Sequence, residues 1–199
     1  RELDPCADEV FFFAASVGAV FGVLRSDGTR VAMKIHKLFT DESYFDDVQR
    51  VQSRLAEAGF PAPRPLGRQG LVLWEEWIDE GTFRDAHEPD VRAAMARELA
   101  RFHALATATA VRPRRPFLRP VDALWPTPHN VLFDFDATAA GAEWIDEIGR
   151  AARRVDVPGS EVVGHTDWSA KHVRFDDALG ITALYDWDSV TTDIEREVA

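Results

Sequence analysis

Apolar residues follow two rhythms along this chain, and the change from one to the other organises it. Over the first 75 residues, β-branched and apolar runs at 10–15, 20–25 and 30–36 stand between polar breaks, and each predicts a strand. Ser26-Asp27-Gly28-Thr29 separates the second run from the third, and Asp-Gly tolerates the positive φ that a tight hairpin needs. The spacing then becomes helical. Phe45, Val48, Val51, Leu55 and Ala58 recur on one face and predict a helix over 41–58, with Gly59 in the place of a C-terminal cap. Pro61, Pro63 and Pro65 force an extended passage, because proline lacks a donor and biases its predecessor away from the α region. It leads into a further strand over 71–74.

Past the stretch from Glu75 to Gly81 the helical rhythm returns. Asp90 is placed to cap a helix carrying Val91, Ala94, Met95, Leu99, Phe102 and Leu105 on its apolar face. The proline-rich segment 113–128 predicts irregular chain, and a shorter helix is expected over 142–154. Strands are expected at 161–163, 173–175 and 181–185, the last two joined by the turn 176–180. No internal repeat is visible. The apolar run 10–24 holds about 15 residues, short of the ~20 a membrane-spanning helix needs, so buried strands and no membrane contact are expected.

Composition narrows the partners. The 199 residues, 46% apolar and 29% charged, suffice for a substantial core. Lys and Arg number 23 against 34 Asp and Glu, and the net charge of −11 argues against nucleic acid or anionic lipid and towards a neutral or cationic small partner. Cys6 is the single cysteine and can form no internal disulfide, and no secretory pattern opens the chain, so a reducing, cytoplasmic location is expected.

Three groups suffice for phosphoryl transfer: a cation on the nucleotide phosphates, carboxylates for a divalent metal, and a carboxylate to take the acceptor's proton. Arg30-Val31-Ala32-Met33-Lys34-Ile35-His36 sets one lysine in an apolar strand, like the V-A-I-K element of kinases. Gly164-His165-Thr166-Asp167-Trp168-Ser169-Ala170-Lys171-His172 is followed, one hairpin later, by Leu184-Tyr185-Asp186-Trp187-Asp188. Asp186 lies 19 residues after Asp167, room for one short hairpin that returns the second carboxylate beside the first.

In these residues the sequence resembles the aminoglycoside phosphotransferase and choline kinase superfamily, whose members share an H-x-D-x-x-x-x-N loop and an apolar-apolar-D-W element. The likeness extends to Ala58-Gly59-Phe60-Pro61-Ala62-Pro63, to the hinge-like stretch from Glu75 to Gly81 and to Leu99-Ala100-Arg101-Phe102-His103-Ala104-Leu105. It implies an α+β, two-lobed protein-kinase-like fold: an antiparallel β N-lobe over 1–78 and a mainly helical C-lobe over 79–199. The C-terminal helices that build the acceptor pocket in relatives are expected to be missing, the chain stopping 13 residues after Asp186.

By the same resemblance, ATP lies between the lobes with magnesium and a small-molecule hydroxyl is the acceptor. Asp167 is the catalytic base, Lys34 orients the α and β phosphates, Asp186 holds magnesium, and the backbone near Glu76, Trp77 and Ile78 meets adenine. His172 occupies the asparagine position, the second metal position, although imidazole is a poor partner for a hard cation. The helix position that should pair with Lys34 falls on Gln49, so either Asp46, one turn earlier, substitutes or the ion pair is missing. Gly18 is the single glycine of the phosphate loop at 15–19. The competing readings are a degenerate kinase-like binder of nucleotide or protein, and a fragment that works only with a missing segment.

Other features are assigned blander roles. His165 is expected to fix its loop, and His36, His87 and His103 lack metal-ligand spacing. Pro128-His129-Asn130-Val131-Leu132-Phe133-Asp134 looks like a second catalytic loop, but Trp125 stands five residues before Asn130, where an aspartate would be needed. Trp168 and Trp187 flank the catalytic positions and are expected to border the cleft, where they would stack on a cationic ligand.

Overall fold

The computed structural model describes residues 9–15, 18–36, 41–115, 123–125, 134, 140–155 and 158–195. Five strands form the first sheet: β1 (Glu9–Ala15), β2 (Ala19–Leu24), β3 (Arg30–Ile35), β4 (Pro65–Gln69) and β5 (Val72–Glu76). Their order is β1-β2-β3-β5-β4, antiparallel throughout. The β2–β3 hairpin turns at Asp27-Gly28, where the Thr29 N–H donates to Asp27 Oδ1 at 2.9 Å. β4 is the strand that the proline pattern concealed: it begins at Pro65 on a sheet edge, where a residue without an N–H leaves no ladder bond unmade.

Helix α1 (Glu42–Glu57) begins where Asp41 caps it, Oδ1 accepting from the Ser43 N–H at 2.9 Å. It ends in a Schellman pair, Phe60 N–H to Leu55 O at 2.9 Å and Gly59 N–H to Ala56 O at 3.1 Å, so Gly59 is the cap its position predicts. Tyr44, Phe45, Val48, Val51, Gln52 and Leu55 are buried, and Ala58, placed on that face by spacing, is an exposed cap residue.

Helix α2 (Pro89–Ala108) departs from expectation at its start: Pro89 holds a first-turn position, Glu88 is the cap residue, and Asp90 lies inside the first turn. Proline's fixed φ suits the first helical position, and Asp90 there complements the helix dipole instead of capping. Helix α3 (Glu143–Arg153) buries none of its residues among those described, with Trp144 and Ile148 exposed.

Two ribbons complete the described chain: β6 (Glu161–His165) pairs with β9 (Val190–Ile194), and β7 (Val173–Phe175) with β8 (Ile181–Leu184), both antiparallel. The core runs from the apolar face of α1 through Phe60 and α2 to these ribbons. Trp187 lies at its centre, near Phe102 and Phe60, with its Nε1–H donating to Leu184 O at 2.8 Å. It does not border a cleft: burial of so large an apolar ring, its one donor satisfied internally, outweighs any ligand role. Trp168 is half-buried against the same cluster.

The stretch 77–82 is stitched onto the β7–β8 ribbon. Arg174 donates to Gly81 O at 2.8 Å, the Tyr185 hydroxyl to Ile78 O at 3.0 Å, and Thr82 bridges to Phe175. Gly81 has φ +79°, and a Cβ there would stand 2.3 Å from Thr182 Oγ1 and 2.8 Å from Phe175 O. Gly81→Ala should therefore combine backbone strain with overpacking and cost about 2–4 kcal/mol, read as a lower urea midpoint with an unchanged slope.

No helix among the described residues is long and apolar enough to cross a membrane. Ser16 and Val17 of the phosphate loop, and the Asn-Val-Leu segment at 130–132, lie outside the described residues.

Candidate active site

Asp167 follows β6, and Asp186 follows β8. His165, at the end of β6, fixes the first loop: its Nδ1 accepts from the Asp167 N–H at 3.3 Å, and its Nε2 lies 2.9 Å from Tyr185 O and must donate to it. Burial pushes its pKa down to about 4, so the ring is neutral and occupied on both sides. At the second position Asp186 adopts the left-handed conformation, φ +65° and ψ +44°, which short polar side chains accept best after glycine. Asp186 Oδ2 accepts from the Ser189 hydroxyl at 3.0 Å.

Asp167, His172 and Asp186 each place a ligand atom within 4.8 Å of the other two, so residues 19 apart in sequence meet as the spacing predicts. His172 Nδ1 lies 3.1 Å from the Asp167 backbone oxygen and 3.6 Å and 3.9 Å from the carboxylates of Asp167 and Asp186. A nitrogen at that distance from a carbonyl donates, so Nδ1 carries a proton and is not a metal ligand in this tautomer. The donor set that suits a hard divalent cation is the two carboxylates, with His172 bracing the loop.

Asp186 is pushed up to about 6, first by burial and then by the charge of Asp188, with His172 and Lys34 opposing. Burial also disfavours ionised Asp188, but His36, whose Nδ1 is 3.4 Å from Asp188 Oδ2, outweighs it and holds Asp188 below the ordinary carboxylate range. Two acids so close release their protons as a pair.

Lys34 projects from β3 and pairs with Glu75 of β5 at 2.5 Å, both side chains largely buried. Its pKa is raised: burial works against the charge, but Glu75 by charge and hydrogen bond, then Asp188 and Asp186, prevail. This corrects the expected partner. Asp46 instead binds Arg68 at 2.7 Å, because its exposed position on α1 faces the β4 edge, and Gln49 donates to Gly67 O at 3.2 Å. The α1 residue that faces the lysine pair is Gln52, one turn after Gln49, with Nε2 3.0 Å from Glu75 Oε2.

At the linker, the Glu76 N–H donates to Arg64 O at 2.8 Å and the Trp77 N–H to Arg30 O at 3.4 Å, while Ile78 O receives the Tyr185 hydroxyl. The Trp77 ring packs edge-on to Phe11, centroids 4.8 Å apart.

Sequence reasoning missed Glu75, Gln52, Lys171, His36 and Asp188. Lys171, whose Nζ lies 3.3 Å from Asp167 Oδ2, was signalled by its i, i+4 spacing, and Glu75 by its place two residues from Leu73, which faces Lys34 across the β3–β5 pair.

An antiparallel sheet carrying a lysine, joined by a linker to a lobe that presents two carboxylates on the loops after β6 and β8, defines the two-lobed protein-kinase-like fold. The chain belongs to the phosphotransferase enzyme family, whose model matches residues 17–194. Solved structures agree on the fold. Amicoumacin kinase hAmiN, in complex with AMP-PNP, Ca2+ and Ami, superposes with a TM-score of 0.68 at 13% identity, over 97% of this chain and 62% of that one. An aminoglycoside-3'-phosphotransferase of type VIII gives 0.56 at 22% identity, over 93% and 72%. A choline kinase from Cryptosporidium parvum Iowa II gives 0.57 at 14%, over 97% and 61%. This chain therefore spans about three fifths of the first and third of these proteins. No curated protein sequence matches it at significance.

Proposed function

We propose that this chain transfers the γ-phosphoryl group of ATP to a hydroxyl of a small molecule, with a divalent cation, magnesium by preference, on the nucleotide phosphates. The observation that carries this reading is the meeting of the Asp167 and Asp186 carboxylates, 19 residues apart, together with a buried lysine whose charge Asp188 and Asp186 favour. Lys34 would hold the α and β phosphates, and the backbone of 76–78 would border adenine, with the lobes meeting at 78/79. Asp186, with Asp167, would hold the cation, which when bound neutralises charge on the β and γ phosphates. Asp167 would accept the proton of the attacking hydroxyl. The net charge of −11 favours a cationic acceptor such as an amino sugar or amino alcohol. The neighbour with bound AMP-PNP and Ca2+ supports nucleotide and divalent cation as the ligands.

Calorimetric titration with ATP, with and without magnesium, tests the reading. Binding should tighten with magnesium, and Asp186→Ala should lose about 10- to 100-fold of affinity, the scale of one charge-assisted contact, while binding ATP in EDTA as the parent chain does. A second reading rests on His172: with Nδ1 held by the Asp167 carbonyl, the cation has one ligand fewer than an asparagine would give, which suits a nucleotide binder that does not transfer phosphate. Magnesium-independent ATP binding with no transfer to any hydroxyl favours this reading; the absence of ATP binding overturns both.

A further inference from the structure

The buried groups around Lys34 are arranged in a way the family likeness does not supply. Ala32 faces Glu75 and Lys34 faces Leu73 across the β3–β5 pair, so Lys34 and Glu75 are diagonal neighbours on one face of a single sheet. Glu75 Oε1 meets Lys34 Nζ at 2.5 Å, and Oε2 accepts from Gln52 at 3.0 Å. Gln52 is itself buried on α1, and its Nε2 also lies 2.7 Å from Pro63 O. Both neighbours of that nitrogen are acceptors, so the amide orientation is fixed and its two N–H groups are both used. A carboxylate in place of Gln52 would face the Pro63 carbonyl and crowd a second negative charge onto one lysine. The helix therefore supplies a neutral donor and the sheet supplies the charge.

We propose that Glu75, steadied by Gln52, is the positioning residue that aims Lys34 at the nucleotide phosphates, so that the lysine is oriented within the β sheet and not by a carboxylate of helix α1. The inference rests on the reading of the chain as an ATP-binding phosphotransferase. Because Lys34 and Glu75 sit diagonally on paired strands, a displacement of α1 would break the Gln52–Glu75 contact but leave the Lys34–Glu75 pair in place, whereas an ion pair shared between helix and sheet would be lost. Asp46 and Gln49 are engaged with the β4 strand and its edge and do not compete for the lysine.

The test compares ATP with adenosine, since Lys34 acts on phosphates alone. Affinities are measured by calorimetry for magnesium-ATP and by ligand-observed NMR for adenosine, so that weak binding is still read. The proteins are the parent chain, Glu75→Gln, Lys34→Met and the double variant. Glu75→Gln should weaken ATP about 10- to 100-fold, the scale of a charge-assisted contact, with adenosine within about twofold. In the Lys34→Met background the same change should have no further effect on ATP, because Glu75 acts through the lysine. Should Glu75→Gln fail to fold, Glu75→Asp, which keeps the charge and retracts it by one methylene, carries the same comparison with a smaller loss. Unchanged ATP affinity, equal losses for ATP and adenosine, or an undiminished effect in the Lys34→Met background overturns the assignment. A parent chain that binds no ATP overturns the phosphotransferase reading and this inference with it, whereas a parent that binds ATP beside an unaffected Glu75 variant overturns this inference alone.

Discussion

Asp167→Asn should lower phosphoryl transfer by about 10²- to 10⁴-fold, the contribution of a positioned general base, while leaving ATP affinity within about twofold. Asparagine keeps an oxygen at the position through which Asp167 would help hold the proposed cation, but it cannot take a proton. The fold should tolerate the change. The Asp167 side chain is 41% exposed, and its carboxylate contacts are Lys171 and His172, while the backbone bonds that shape the loop come from the Asp167 N–H and C=O and are kept. A melting temperature within a degree or two of the parent, with transfer lost and binding kept, is the expected pattern. Loss of binding together with transfer would instead mark Asp167 as chiefly a cation ligand. The assay is phosphate transfer to a panel of amino alcohols and amino sugars, with slow transfer to water as the background.

Why Asp167 and Asp186 were legible in sequence while Glu75 was not has a physical cause. The two aspartates are tied to one local device, a hairpin whose strand and turn residues fix the return of the chain, so counting residues suffices. The partner of Lys34 depends on strand order. β3 pairs with β5, not with β4, which follows α1 directly in the chain, and only that order sets Glu75 diagonal to Lys34. The hinge-like reading of the stretch from Glu75 to Gly81 conceals that Leu73 and Glu75 keep strand alternation. Edge strand β4 was hidden because proline at its start reads as a break, and β9, with Val190, Thr191 and Thr192 as its β-branched signal, because five residues are too few for periodicity to show. Trp187 was misplaced because an aromatic beside a candidate metal-binding acid looks the same in sequence whether it faces ligand or core.

That misplacement makes Trp187 the residue where fold and site are most directly joined. Asp186 and Asp188 flank it, and its ring is among the largest fully buried side chains of the described residues, with Phe102 at 5.9 Å and Phe60 at 6.4 Å between centroids. Trp187→Ala removes the ring from a packed core and should cost about 3–5 kcal/mol of stability. Trp187→Phe keeps most of the apolar volume but leaves the buried Leu184 carbonyl without the Nε1–H donor, a loss of about 1–2 kcal/mol. Urea unfolding followed by far-ultraviolet circular dichroism measures both. The site should follow the core: magnesium-ATP affinity should be nearly unchanged in the phenylalanine variant, whose ring still anchors the turn, and should fall in the alanine variant even where it is folded, because the left-handed turn at Asp186 and the short helical turn after it are held from beneath by this side chain. Equal affinity in the two variants would show that the Ser189 hydroxyl on Asp186 and the Tyr185 and Tyr44 hydroxyls on Ile78 O and Asp188 O hold the turn at Asp186 without the ring, and that the tryptophan serves stability alone.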